Sequence, residues 1–172
     1  MAGPALPDFV NHPGVIFPIL PQGIHDANLS EVEAKLVDAL PNPQRLLAFN
    51  GWVAFRALVH ALVPVRGEYI NGSFVTAKPN PKDVDVSFWI DADDLDALDP
   101  ARKGALNQLF GVQAPNFHVD AYVVPECGFG HASYATFQFM LWTEHFWSRC
   151  RDHAGAVIDA HGIRKGFVRV VP

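Results

Sequence analysis

Asp83-Val84-Asp85-Val86-Ser87-Phe88-Trp89-Ile90 reads as a β-strand, being rich in β-branched and aromatic residues and bounded upstream by Pro79, Asn80 and Pro81. It is a strand that carries two carboxylates. Side chains alternate faces along a strand, so Asp83 and Asp85 share one face while Val84 and Val86 take the other. Aspartate is depleted in strands, and two of them about 7 Å apart on one face repel unless positive charge sits between them. A divalent cation supplies it. Carboxylate oxygens suit Mg²⁺ or Mn²⁺, which keep part of their water shell and complete it with substrate phosphates.

Upstream, Gly72 allows the backbone to approach a ligand closely, and Ser73 adds a hydroxyl and an N–H where a short strand over residues 68–71 ends. Together they suggest a turn that holds a phosphate. Downstream, residues 117–124 form a further strand with Asp120 in its middle, and parity puts His118, Asp120 and Tyr122 on one face. Paired beside the first strand, it completes a triad of carboxylates. His118 is read more readily as a core or strand-edge histidine than as a site residue.

Gly72-Ser73, nine intervening residues, Asp83-Val84-Asp85-Val86 and then a lone acid in a later strand resemble the signature of the DNA polymerase beta-like nucleotidyltransferase superfamily in its minimal form. The resemblance is sharp over residues 69–90 and extends to residue 124. Leu20-Pro21-Gln22-Gly23-Ile24-His25 and Lys165-Gly166-Phe167-Val168-Arg169 are similar to an uncharacterised bacterial branch of these proteins. The resemblance implies an α/β (α+β) fold: a small mixed sheet with N-terminal helices and a C-terminal aromatic helix packed on it. It implies a Mg²⁺- or Mn²⁺-dependent nucleotidyltransferase that moves a nucleoside monophosphate from ATP or another NTP to an acceptor. Asp83, Asp85 and Asp120 would be the catalytic and metal-binding residues. Gly72 and Ser73 would bind phosphates, with Lys78 or Lys82 steadying them. The acceptor stays open among an RNA end such as that of tRNA, a protein hydroxyl and a small molecule such as an antibiotic. Small bacterial relatives of this type sit in toxin–antitoxin or defence loci, so a cognate toxin or antitoxin is an expected partner. The alternative is a catalytically inactive member that keeps the fold as a binding partner, an antitoxin or scaffold. The large relatives carry a separate helical domain that grips the base; here that task would fall to the two N-terminal helices and the aromatic helix, and the choice of base stays open.

Residues 1–24 read as a Pro-rich arm that packs Phe9, Val15, Ile16, Phe17 and Leu20 onto a single domain spanning residues 25–172. The arm has no basic n-region, and five prolines exclude a membrane helix. With 49% hydrophobic and 18% charged residues the composition is that of a compact chain, and a net charge of -5 argues against a broad nucleic-acid footprint. Two cysteines without a secretory signal point to reduced thiols in a cytoplasm.

Asn28 and Glu31 form a capping box for a helix running to Leu40. A second helix runs from Pro43 to about Val63, with Leu46, Leu47, Trp52, Phe55, Leu58, Val59 and Leu62 as its apolar stripe. The aspartates of residues 91–99 lack the glycine and terminal glutamate of a calcium loop and read as a solvated loop ahead of a helix over residues 100–110. The aromatic residues of 133–149 (Tyr134, Phe137, Phe139, Met140, Leu141, Trp142, Phe146 and Trp147 among them) are read as core, with Tyr134 the one to test for base stacking. Cys127 with His131, and His145 with Cys150, are too loosely spaced for structural zinc. Arg149, Arg151, Arg164, Lys165 and Arg169 give the last segment a basic bias that serves either phosphate contact or balance of the aspartate run. A last strand near residues 167–171 is placed at the sheet edge.

Overall fold

A computed structural model describes residues 6–147, 150–151, 157–158 and 164–172, with the backbone alone for 141–147, 150–151 and 157–158. Arg149 and the side chains of Leu141, Trp142, His145, Phe146, Trp147, Cys150 and Arg151 lie outside the described residues. The fold is mixed α+β. Its strands are β1 (Ile24–Ala27), β2 (Gly67–Asn71), β3 (Val84–Asp91), β4 (Val119–Glu126), β5 (Cys150–Arg151), β6 (Val157–Ile158) and β7 (Phe167–Val170). Five of them form one sheet in the order β1-β7-β2-β3-β4, while β5 and β6 pair separately. The helices are α1 (Leu29–Glu33), α2 (Pro43–Leu62), α3 (Ala92–Ala97), α4 (Pro100–Gln108) and α5 (Tyr134–Trp147).

Alternation along β3 divides the molecule. Val84, Val86, Phe88 and Ile90 are fully buried in the core, facing Trp52, Phe55 and Val59 of α2. Asp85, Ser87, Trp89 and Asp91 take the opposite face. β3 and β4 run parallel, joined by α3 and α4, as a parallel pair requires a crossover. The opposite face is covered at one end by α5, where Phe137 meets Trp89 edge-on at a centroid distance of 5.9 Å. Tyr134 packs against Phe129 at 5.5 Å, and Phe139 is exposed.

Several sequence expectations are corrected. β7 lies inside the sheet, parallel to β1 and antiparallel to β2, because Val168 and Val170 both face the core. The edge on that side belongs to β1, whose Asp26 takes a two-pronged ion pair from Arg169, with both contacts at 2.7 Å. The stripe of α2 is narrower than expected: Leu46, Leu47 and Leu58 are exposed, and Arg45, Ala48 and Phe49 are buried in their place. Ile16 of the arm is exposed, while Leu6 and Ile19 join Leu20 inside. The aspartate run is not a loop. Asp91 caps α3 through Asp93 N (2.8 Å), and Asp99 caps α4 through Arg102 N (2.9 Å), so the acids sit where the helix dipole favours them.

The capping box of α1 forms, with Glu31 N to Asn28 Oδ1 at 3.0 Å and Asn28 N to Glu31 Oε2 at 2.8 Å. α1 does not continue as an α-helix to Leu40, however; a π turn over Ala34–Asp38 follows it. Arg45 of α2 reaches this turn. Its fully buried guanidinium donates to the Leu36 carbonyl within it (2.8 Å) and also to the carbonyls of Phe74 (2.9 Å), Thr76 and Lys78 (2.7 Å). Burial lowers its pKa to about 10, and the ring of Phe74 lies 5.5 Å from it. One side chain of α2 thus fixes the whole loop that follows Gly72-Ser73.

Arg45→Ala is expected to leave those buried carbonyls without a donor and to lower stability by about 3 kcal/mol, a melting-point loss of about 6–12 °C in a chain of this size. Arg45→Lys, with a compact ammonium in place of a fork, recovers less than half of the loss. Thermal or urea unfolding reads the effect, and a cost below about 1 kcal/mol for Arg45→Ala contradicts the assignment.

Candidate functional site

The register of the sheet sets three polar residues side by side. Asn71 of β2 pairs with Asp85 of β3, and Asp85 with Asp120 of β4, so all three project from the face opposite α2. Asp83 stands one residue ahead of β3, and its charge, with that of Asp120, acts on Asp85. Asp120 is exposed and Asp83 and Asp85 half-buried. The three carboxylates read from the sequence therefore share one end of one sheet face.

Gly72 closes this end. It follows Asn71 directly, takes a φ of 74°, and a Cβ there would overlap Asp85 Oδ2. Glycine is needed twice over, for the left-handed turn and for the space Asp85 fills. Ser73 sits in the same turn, its carbonyl accepting from Thr76 N (3.3 Å) and Thr76 Oγ1 (2.8 Å). The arm holds the turn from outside: Ile19 bridges to Thr76, and Ala77 N donates to Pro18 O at 2.8 Å.

Of the lysines, it is Lys165 that reaches the carboxylates. Its Nζ donates to the Gly72 carbonyl at 2.8 Å from 93 residues away in sequence, and its charge acts on Asp85. Lys82 is exposed, and the backbone of Lys78 is pinned by Arg45 and by Thr76 Oγ1 (3.2 Å). His118 departs from expectation as well. The turn Ala114–Phe117 starts with Pro115 near its beginning and ends on His118 in the left-handed region, φ 53°, so β4 starts at Val119 and His118 does not share the Asp120 face. The turn is fixed by Phe117, packed on Phe55 at 5.7 Å.

Burial is the largest influence on Asp85. It raises the carboxyl from 3.8 to about 6, with Asp83 and Asp120 pushing the same way and Lys165 opposing. Tyr122, two residues beyond Asp120, donates its hydroxyl to Asp120 Oδ2 at 2.9 Å. Burial, this bond and the three carboxylates together hold the phenol well above its ordinary range. Asn71 is only 2 % exposed, and its Oδ1 has no hydrogen-bond partner among the described residues. In the sequence no motif marks Asn71 or Arg45, and Lys165 reads as one member of a basic tail. The one signal for Asn71 was its position immediately before the glycine.

The donor set fits a hard divalent cation in type and in charge: three carboxylates, one of them burdened by its neighbours, and an amide oxygen without a partner among the described residues. As the side chains stand, no three His, Cys, Asp or Glu among the described residues are close enough to hold one ion. Sharing one therefore requires the carboxylates to close together. Among the described residues no helix is long and apolar enough to cross a membrane.

Over residues 16–171 the chain matches the family described as a family of unknown function, DUF6932. No curated protein and no solved structure matches it.

The folded protein holds the Asp85 proton to a higher pH than the unfolded chain does. The stability contributed by that proton is complete below 3.8 and is lost as the pH rises through about 6. Asp85→Asn, which removes the charge, is expected to be more stable than wild type at pH 8 by about 1–3 kcal/mol, with the gap narrowing toward pH 5. Melting curves across that range measure it. A gap that is constant, or that widens toward acid, contradicts the assignment.

Proposed function

The chain belongs to the DUF6932 family of unknown function, and we propose that it is a metal-dependent nucleotidyltransferase. The observation that carries the reading is the placement of Asp83, Asp85 and Asp120 on one end of one sheet face beside a left-handed glycine bend. In this reading Asp83 and Asp85 hold a divalent cation, Mg²⁺ or Mn²⁺, with Asp120 sharing in its binding. When bound, such an ion neutralises phosphate charge and stabilises the attacking and departing oxygens. Gly72 and Ser73 form the bend against which the phosphates of an NTP rest.

The chain's own residues then manage the proton. An acceptor hydroxyl gives its proton to Asp120 as its oxygen bonds to the α-phosphorus, and the bond from that phosphorus to the departing pyrophosphate breaks. Tyr122 holds Asp120 Oδ2, which orients the carboxylate and leaves Oδ1 to receive the proton. The acceptor in this reading is an RNA end, a protein hydroxyl or a small molecule.

With Mg²⁺ and an NTP at one hundred times its Kd, the melting point is expected to rise by roughly 5–10 °C, corresponding to about 2.7 kcal/mol. Incubation with each α-labelled NTP and cell extract should transfer label to RNA, protein or a small molecule. Asp83→Ala and Asp120→Asn should lower that transfer by about a hundredfold or more. Absence of any nucleotide-dependent shift and of any label transfer would leave an inactive binding partner, an antitoxin or scaffold, as the reading.

A further inference from the structure

Lys165 reaches the site by a route that the sequence does not advertise. It precedes β7, which is paired on both sides. The adjacent Gly166 donates its N–H to the Leu20 carbonyl at 3.0 Å, and Phe167 donates to the Gly23 carbonyl at 3.1 Å. A Cβ at Gly166 would overlap both Pro21 O and His25 Nε2, and His25 Nε2 is itself 2.7 Å from Pro21 O. Residues 20–25 thus form a clamp on the backbone that carries Lys165. Its ammonium is delivered to the carbonyl of Gly72 at the bend beside Asp85.

Three carboxylates on one face repel a triphosphate as they attract a cation. A site of this kind requires a positive group at the phosphate end, able to turn toward the phosphates. A lysine suits this, being a compact point charge on a flexible stem that binds phosphate oxygens through charge-assisted hydrogen bonds. We propose that Lys165 binds the terminal phosphates of the nucleotide, its ammonium turning from the Gly72 carbonyl onto β- and γ-phosphate oxygens when the site is filled. This rests on the nucleotidyltransferase reading and replaces Lys78 and Lys82 in that role. It also gives the N-terminal arm a task, since the arm's carbonyls set the position of the lysine.

The test uses inorganic tripolyphosphate as probe, titrated calorimetrically into the full chain with saturating Mg²⁺, alongside titration of Mg²⁺ alone. Lys165→Met should weaken tripolyphosphate binding by about tenfold or more, Lys165→Arg should restore part of it, and Mg²⁺ should still bind to both variants. Melting curves establish that each variant is folded; should Lys165→Met not fold, wild type against Lys165→Arg decides, with an unchanged affinity and unchanged enthalpy overturning the role. Equal affinity in Lys165→Met and wild type overturns the assignment of Lys165 alone. A loss in Lys82→Met without one in Lys165→Met returns the phosphates to the loop and overturns it too. A wild-type protein that binds Mg²⁺ but no tripolyphosphate rejects the nucleotide site itself, and the Lys165 assignment falls with it.

Discussion

Asp85 is held against the backbone of Gly72, with Asp83 and Asp120 beside it and Lys165 donating to the same glycine's carbonyl. That crowding is the constraint to which the rest of the molecule answers. A half-buried carboxylate flanked by two others is unfavourable in an apolar sheet, and it persists only because the strands around it are fixed by other means. The core face of the same strands, from Val84 to Ile90, is packed without exposure against α2, so the register that brings the acids together is set by apolar burial on the opposite side.

The glycine bend is secured from two directions. From within, Arg45 converts the carbonyls of Phe74, Thr76 and Lys78 into ligands of one buried cation. From outside, the arm pairs Ile19 with Thr76 and passes beneath the Lys165–Gly166 segment. The two ends of the chain are thereby joined at the site, since β1 and β7 lie side by side in the sheet. A contact of this kind carries a high loop-closure cost, which the burial of Val168, Val170, Leu20 and Ala27 helps to offset.

Much of this was legible in the sequence wherever the signal is local. The strand pattern of residues 83–90, the capping box at Asn28, the proline that starts α2 and the parity linking Asp120 with Tyr122 all depend on neighbours within a few residues. What was not legible depends on distant partners. β1 is four residues long and contains His25 and Asp26, so it shows no alternation; it exists because β7 pairs with it. The interior position of β7 and the reach of Lys165 follow from the same pairing. Arg45 reads as a surface residue at the start of a helix until the carbonyls it holds are brought to it by the fold. His118 was misplaced because Pro115 imposes a turn whose left-handed end breaks the strand period, a case in which turn chemistry prevailed over parity.

The central claim is that Asp83, Asp85 and Asp120 close on one divalent cation at the glycine bend. Anomalous diffraction from crystals grown or soaked in Mn²⁺ tests it most directly. A single strong peak with carboxylate oxygens of all three residues at about 2.1–2.2 Å is the expected result. Crystals saturated with Mn²⁺ that show no peak there, or an ion whose ligands leave out Asp85 or Asp120, would contradict it.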